Sequence, residues 1–111
     1  MLTAIIDYRS GNLHSAQKAF EKITASNNLG SVVVTSDPKI ISSADRLVLP
    51  GDGAFPSCKA ELMSSEAYEA MVYGVVEKSR PFLGICVGMQ LMATKSYEYQ
   101  ETEGLDWIDG E

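Results

Sequence analysis

The chain has 111 residues, enough for one compact core and too few for two. Hydrophobic residues at 45% and charged residues at 22% exclude a disordered segment, a fibrous repeat and a disulfide-stapled miniprotein. A net charge of −6 with a pI near 4.7 leaves no basic stripe to neutralise phosphates, which argues against nucleic acid or an anionic membrane surface as a partner.

Leu2-Thr3-Ala4-Ile5-Ile6 is nearly all apolar and predicts a strand covered on both faces, as in a parallel sheet. After a Ser10-Gly11-Asn12 turn, Leu13, Ala16, Phe20 and Ile23 recur at helical spacing and predict an amphipathic helix, with Ser26 to Ser31 as the loop behind it. Ser31 to Thr35 is β-branched and predicts a second strand. Asp37-Pro38 then supplies an N-cap and a first-turn proline for a short helix to about Ser43. Arg46-Leu47-Val48-Leu49 predicts a third strand running into Pro50-Gly51-Asp52-Gly53. From Ser65, the residues Tyr68, Met71, Val72, Val75 and Val76 share one helical face, and the pattern stops near Ser79-Arg80-Pro81. Phe82-Leu83-Gly84-Ile85 predicts a fourth strand with Cys86 at its carboxyl end, and Gly88 to Ala93 begins the next helix. This alternation predicts an α/β fold, an open and mostly parallel sheet with helices on both faces. Ligands bind such sheets beyond the carboxyl ends of the strands, where both the glycine loop after Leu49 and Cys86 are expected.

The two cysteines sit in different settings, and nothing else suggests a secreted, stapled fold; a reducing cytoplasm is expected. No basic segment leads into a long apolar run at the N-terminus, and no stretch approaches the roughly 20 apolar residues that span a bilayer. Cys58 falls in an expected helix after Pro56, without flanking glycines, and is read as a core residue. Cys86 is different. A nucleophile between a buried strand and a helix sits in a tight turn, and Gly84 and Gly88 remove the side chains that would collide there. The turn aims the sulfur at a helix N-terminus, which favours thiolate, and it frees the Val87 N–H to donate to an oxyanion.

Gly84-Ile85-Cys86-Val87-Gly88-Met89-Gln90 resembles the nucleophile motif of class I glutamine amidotransferases, and Pro50-Gly51-Asp52-Gly53-Ala54-Phe55 is similar to their oxyanion loop. Ile5-Ile6-Asp7-Tyr8 with Gly11-Asn12-Leu13 resembles the opening of one branch of that family, the glutaminase subunit of imidazole glycerol phosphate synthase. The resemblance implies a flavodoxin-like sheet, with residues 1–111 the N-terminal half of one amidotransferase domain. It implies glutamine as substrate, Cys86 as nucleophile of a thioester, and backbone donors from Gly51, Asp52 and Val87 as the oxyanion hole. Gly53, Gln90 and Glu98 are the implied substrate-binding residues, Glu98 for the ammonium group of glutamine. It implies neither metal nor cofactor. The implied partner is a (β/α)₈-barrel cyclase that takes up the ammonia in histidine biosynthesis, with Asn12 on the docking face.

Departures from the family pattern are equally specific. The His and Glu that complete the family's triad follow its nucleophile, whereas the one histidine here, His14, precedes Cys86 and is expected on a helix surface. The chain alone is therefore expected to be inactive. Trp107 to Glu111 resembles the start of a further strand. Asp52 stands where a small apolar residue is usual; roughly 8 Å from an anionic sulfur it would oppose the charge by about 2 kcal/mol, so it is expected to point outward. Arg9-Ser10 replaces a glycine-containing pair. The competing readings are a stand-alone cysteine hydrolase or oxidative-stress protein with a similar turn, which lack the Gly-Met-Gln after the cysteine, and a non-catalytic fragment of the fold.

Overall fold

The computed structural model describes residues 1–10 and 12–111; Gly11, part of the predicted turn and of the Gly11-Asn12-Leu13 resemblance, lies outside the described residues. The four predicted strands, β1 (Leu2–Ile6), β2 (Ser31–Thr35), β3 (Arg46–Leu49) and β4 (Phe82–Gly84), form one parallel sheet in the order β2-β1-β3-β4. Val33, Ala4, Leu47 and Phe82 stand in register across it, so one row of apolar side chains runs through all four strands. The chain crosses first to one side of β1 and then to the other, which opens a crevice between the carboxyl ends of β1 and β3.

The main core lies on the face bearing Ala4, Ile6, Leu47 and Leu49. It is closed by Ile41 of helix α2 (Pro38–Ser43), by Phe55 and Leu62 of α3 (Phe55–Met63), and by Met71 of α4 (Ala67–Val72). Each such fully buried aliphatic or aromatic side chain contributes about 1.5–3 kcal/mol. Asp37 caps α2 as the sequence predicts, its Oδ1 accepting from the Lys39 N–H at 2.9 Å. The opposite face carries Thr3, Ile5 and Val48, and α1 (Leu13–Asn27) packs there against β2 and β1.

Four expectations need correction. The first helix runs on through Ser26 and Asn27, stopping where Asn28 enters the left-handed region at φ 54° and donates to the Thr24 carbonyl; asparagine tolerates that conformation. Its inner stripe includes Thr24 rather than Ile23, which is 56% exposed. In the α4 segment, residues Tyr73–Glu77 widen into a π-helical turn, with the Lys78 N–H reaching the Tyr73 carbonyl five residues back. That turn shifts the helical phase and carries Val76 outward, 54% exposed. The helix after Cys86, α5 (Val87–Gln90), stops short of Ala93, because the carbonyls of Leu91, Met92 and Ala93 accept from Leu105, Trp107 and Asp106 instead of from a next helical turn. The strand expected at Trp107 is only an isolated parallel bridge between Ile108 and Ala93, and an unforeseen hairpin, β5 (Lys95–Ser96) with β6 (Thr102–Glu103), precedes it.

Among the described residues no helix is long and apolar enough to cross a membrane.

Candidate active site

β4 ends at Gly84, and two residues later the chain turns through Cys86 at φ 54°, ψ −121°. A non-glycine residue held there costs on the order of 1–3 kcal/mol, and the surrounding backbone enforces it. The Ile85 N–H donates to the Leu49 carbonyl at 3.0 Å, the Gly88 N–H to Ile85 at 2.9 Å, and both Met89 and Gln90 donate to the Cys86 carbonyl. The turn is thus strapped to the end of β3 on one side and to its own helix on the other. Cys86 is exposed, whereas Cys58 is buried.

Glycine is required here for close approach. A β-carbon on Gly88 would lie 1.9 Å from the Leu49 carbonyl oxygen, and one on Gly51 would lie 2.4 Å from the Gly88 nitrogen. The Pro50–Gly53 loop and the Cys86 turn therefore touch backbone to backbone, each occupying space that a side chain on the other would fill. Gly84 serves the same packing, since its β-carbon would meet Met89 Cα at 2.7 Å. The steric cause assigned to these glycines from their spacing holds, and the structure adds Gly51 to it. Gly53 differs: nothing lies near its missing β-carbon, but its φ of 99° suits glycine.

Val87, the first residue of α5, is buried, at the helix position whose N–H has no intrahelical acceptor. Because α5 has only four residues, it offers the N–H groups of one turn rather than the summed dipole of a long helix, so the sulfur faces a weaker field than the sequence suggests. Asp52 is exposed, as expected of its carboxylate, and its own N–H donates to Ser10 Oγ at 3.3 Å. Gln90 lines a cleft of about 620 Å³ with Phe55, Met89, Lys95 and Tyr97, a volume in the small-molecule range. Glu98 is exposed but engaged: its Oε1 accepts the Phe55 N–H at 2.7 Å, capping α3, whose N-cap residue Ala54 has no side chain able to do so.

Three side chains that carry no role in the sequence reading sit beneath the loop. Tyr8, 1% exposed, donates its hydroxyl to the Pro50 carbonyl at 2.5 Å. Ser10 Oγ donates to the Asp52 carbonyl at 3.1 Å and lies 3.0 Å from Cys58 Sγ, which itself donates to the same carbonyl at 3.3 Å. Burial first, and then the Cys58 thiol beside it, push the Tyr8 phenol's pKa upward, so it remains a proton donor. More than 40 residues separate Tyr8 and Ser10 from the loop, and no spacing rule could have paired them.

Asn12 accepts the Ser15 N–H through Oδ1 and caps α1, and His14 is exposed in the first turn of that helix. Among the described residues, no cluster of three or more His, Cys, Asp and Glu could hold a metal ion.

A family model described as glutamine amidotransferase class-I matches residues 4–100. The chain is 63% identical over 112 residues to "Imidazole glycerol phosphate synthase subunit HisH" of Ruegeria pomeroyi, an alignment covering 100% of this chain and 53% of the relative. It is 52% identical to the proteins of the same name from Cereibacter sphaeroides and Rhodopseudomonas palustris, again over 100% of this chain and over 53% and 52% of theirs. The chain spans about half the length of the curated relatives it matches. The parallel sheet in the order β2-β1-β3-β4, the strained Cys86 turn locked to a glycine loop, and a match over nearly all its residues agree: the chain belongs to the class I glutamine amidotransferase family.

Proposed function

We propose that this chain is the N-terminal half of the glutaminase subunit of imidazole glycerol phosphate synthase, hydrolysing glutamine to glutamate and ammonia. The observation that carries the reading is the exposed Cys86, held at a positive φ and locked backbone to backbone against the Pro50–Gly53 loop, in a chain 63% identical to a relative of that name.

In this reading the Cys86 thiolate attacks the side-chain amide carbon of glutamine, and the carbonyl oxygen becomes an oxyanion facing the backbone N–H groups of Val87 and Gly51, with that of Asp52 joining them once it leaves Ser10 Oγ, to which it donates in this structure. The oxyanion collapses, the C–N bond breaks, and the leaving nitrogen takes a proton to depart as ammonia. The thioester on Cys86 is then attacked by water, releasing glutamate and restoring the thiol. Gln90 and the Gly53 backbone hold the substrate, and Glu98 takes its ammonium group. The proton carrier is a His with its Glu partner lying outside residues 1–111, because His14 is on α1 and precedes the nucleophile. The ammonia passes to a (β/α)₈-barrel cyclase subunit in histidine biosynthesis, in the cytoplasm, with Asn12 on the docking face.

The test is ammonia release from glutamine by the full-length subunit with and without the cyclase, beside the 111-residue chain. Release by the full-length protein, lost in Cys86→Ala, and none from the short chain is the expected result. Sustained Cys86-dependent release by the short chain would refute the division of the triad, and a full-length Cys86→Ala protein that retains activity would refute the nucleophile.

A further inference from the structure

Tyr8, Ser10 and Cys58 form a polar cluster under the Pro50–Gly53 loop that the proposed reaction does not use. All three hydroxyl or thiol groups act on the loop's carbonyls: Tyr8 on Pro50, Ser10 and Cys58 on Asp52. A core thiol is ordinarily indifferent to orientation, but Cys58 has two polar partners within 3.3 Å and is 1% exposed.

The consequence follows from peptide geometry. In a trans peptide the carbonyl and the next N–H point in opposite directions across a rigid plane. Holding the Pro50 carbonyl down toward Tyr8 turns the Gly51 N–H up and away from it, and holding the Asp52 carbonyl toward Ser10 and Cys58 turns the Gly53 N–H away from them. Glycines cannot do this for themselves, because their backbone has the widest choice of conformations. The loop needs glycine to approach the Cys86 turn, and so it needs outside groups to choose among the conformations that glycine allows.

We propose that Tyr8 and Cys58 are positioning residues for the donor loop, clamping the Pro50–Gly51 peptide so that the Gly51 N–H faces the substrate oxyanion and the Asp52–Gly53 peptide so that the Gly53 N–H faces the bound substrate. This rests on the glutaminase reading of the same site. Neither residue touches substrate. Their removal slows the step that builds negative charge on oxygen while leaving glutamine binding and Cys86 itself unchanged.

The experiment uses the full-length subunit assembled with its cyclase, comparing the parent with Cys86→Ala, Tyr8→Phe, Cys58→Ala and Cys58→Ser. Tyr8→Phe should lower kcat for glutamine hydrolysis roughly 10-fold, less than the 10²–10³-fold that follows outright loss of an oxyanion donor. KM should stay within about twofold of the parent, the signature of an interaction made only in the transition state. Cys58→Ala should lose several-fold in kcat, and Cys58→Ser, whose hydroxyl can still donate to the Asp52 carbonyl, should recover most of it. The rate of Cys86 alkylation by iodoacetamide should be the same in all the variants that keep Cys86. A folded Tyr8→Phe protein with parental kcat, or a fall in kcat matched by an equal fall in alkylation rate, overturns the inference while leaving the function intact. Parent activity that survives Cys86→Ala overturns both.

Discussion

At the Cys86 turn backbone meets backbone, Gly88 against Leu49 and Gly51 against Gly88, with no room for one added carbon. The hairpin of β5 and β6 is held to α3 in another way, by two side chains: Glu98 reaching the Phe55 N–H and Lys59 reaching the Glu103 carbonyl at 2.6 Å. Its loop stands in solvent, with Tyr99 88% exposed. The first arrangement fixes position by leaving atoms out, so any substitution that adds one is felt by the peptide planes themselves. The second fixes position through long side chains that can be exchanged one at a time, so charge, hydrogen bond and stability can be separated.

The sharpest break of that contrast is Gly88→Ala. Its β-carbon has a carbonyl oxygen in its way and no flexible side chain to push aside, so the full-length subunit should lose about 3 kcal/mol or more, read from a urea midpoint. A parental midpoint would show that the two loops do not interlock.

The cluster under the loop should appear as a pH effect. The folded protein raises the Tyr8 pKa above its ordinary value of 10.0, so the stability it contributes is full below pH 10 and is lost as pH rises through the folded value. Above pH 10 the parent should therefore lose about 1.4 kcal/mol per pH unit more steeply than Tyr8→Phe. Parallel slopes for the two proteins would mean that the phenol is not sheltered.

The smallest effect belongs to the hairpin. Glu98→Ala removes the cap on α3 and should cost about 1 kcal/mol, whereas Glu98→Gln keeps an accepting oxygen and should lie near the parent. If Glu98 also takes the ammonium of glutamine, Glu98→Gln will raise KM without moving the denaturation midpoint. Equal losses of stability in both variants would count against the cap.

Leu2–Ile6 and Arg46–Leu49 were legible because a strand covered on both faces must be nearly all apolar, and the partly buried edge strand Ser31–Thr35 because it is β-branched; all three fall where the sequence predicts them. Helix ends were less so. Ser26 and Asn27 resemble a loop in isolation, yet Asn28 ends the helix only after they have joined it. Val76 follows the helical spacing and still faces solvent, because a π turn, which no local pattern announces, intervenes.

Sequence alone determined the strands and the tight turn at Cys86: glycines around a cysteine at a strand end have a steric reason that can be read residue by residue. Tertiary structure decided what lies around that cysteine. It brought Gly51 against Gly88, turned the Asp52 N–H toward Ser10, gave Glu98 a helix to cap, and set Tyr8 and Cys58 beneath the loop. The physical reason is range. Strand and turn preferences act over a few residues, whereas these contacts join residues that only the folding of the sheet makes neighbours.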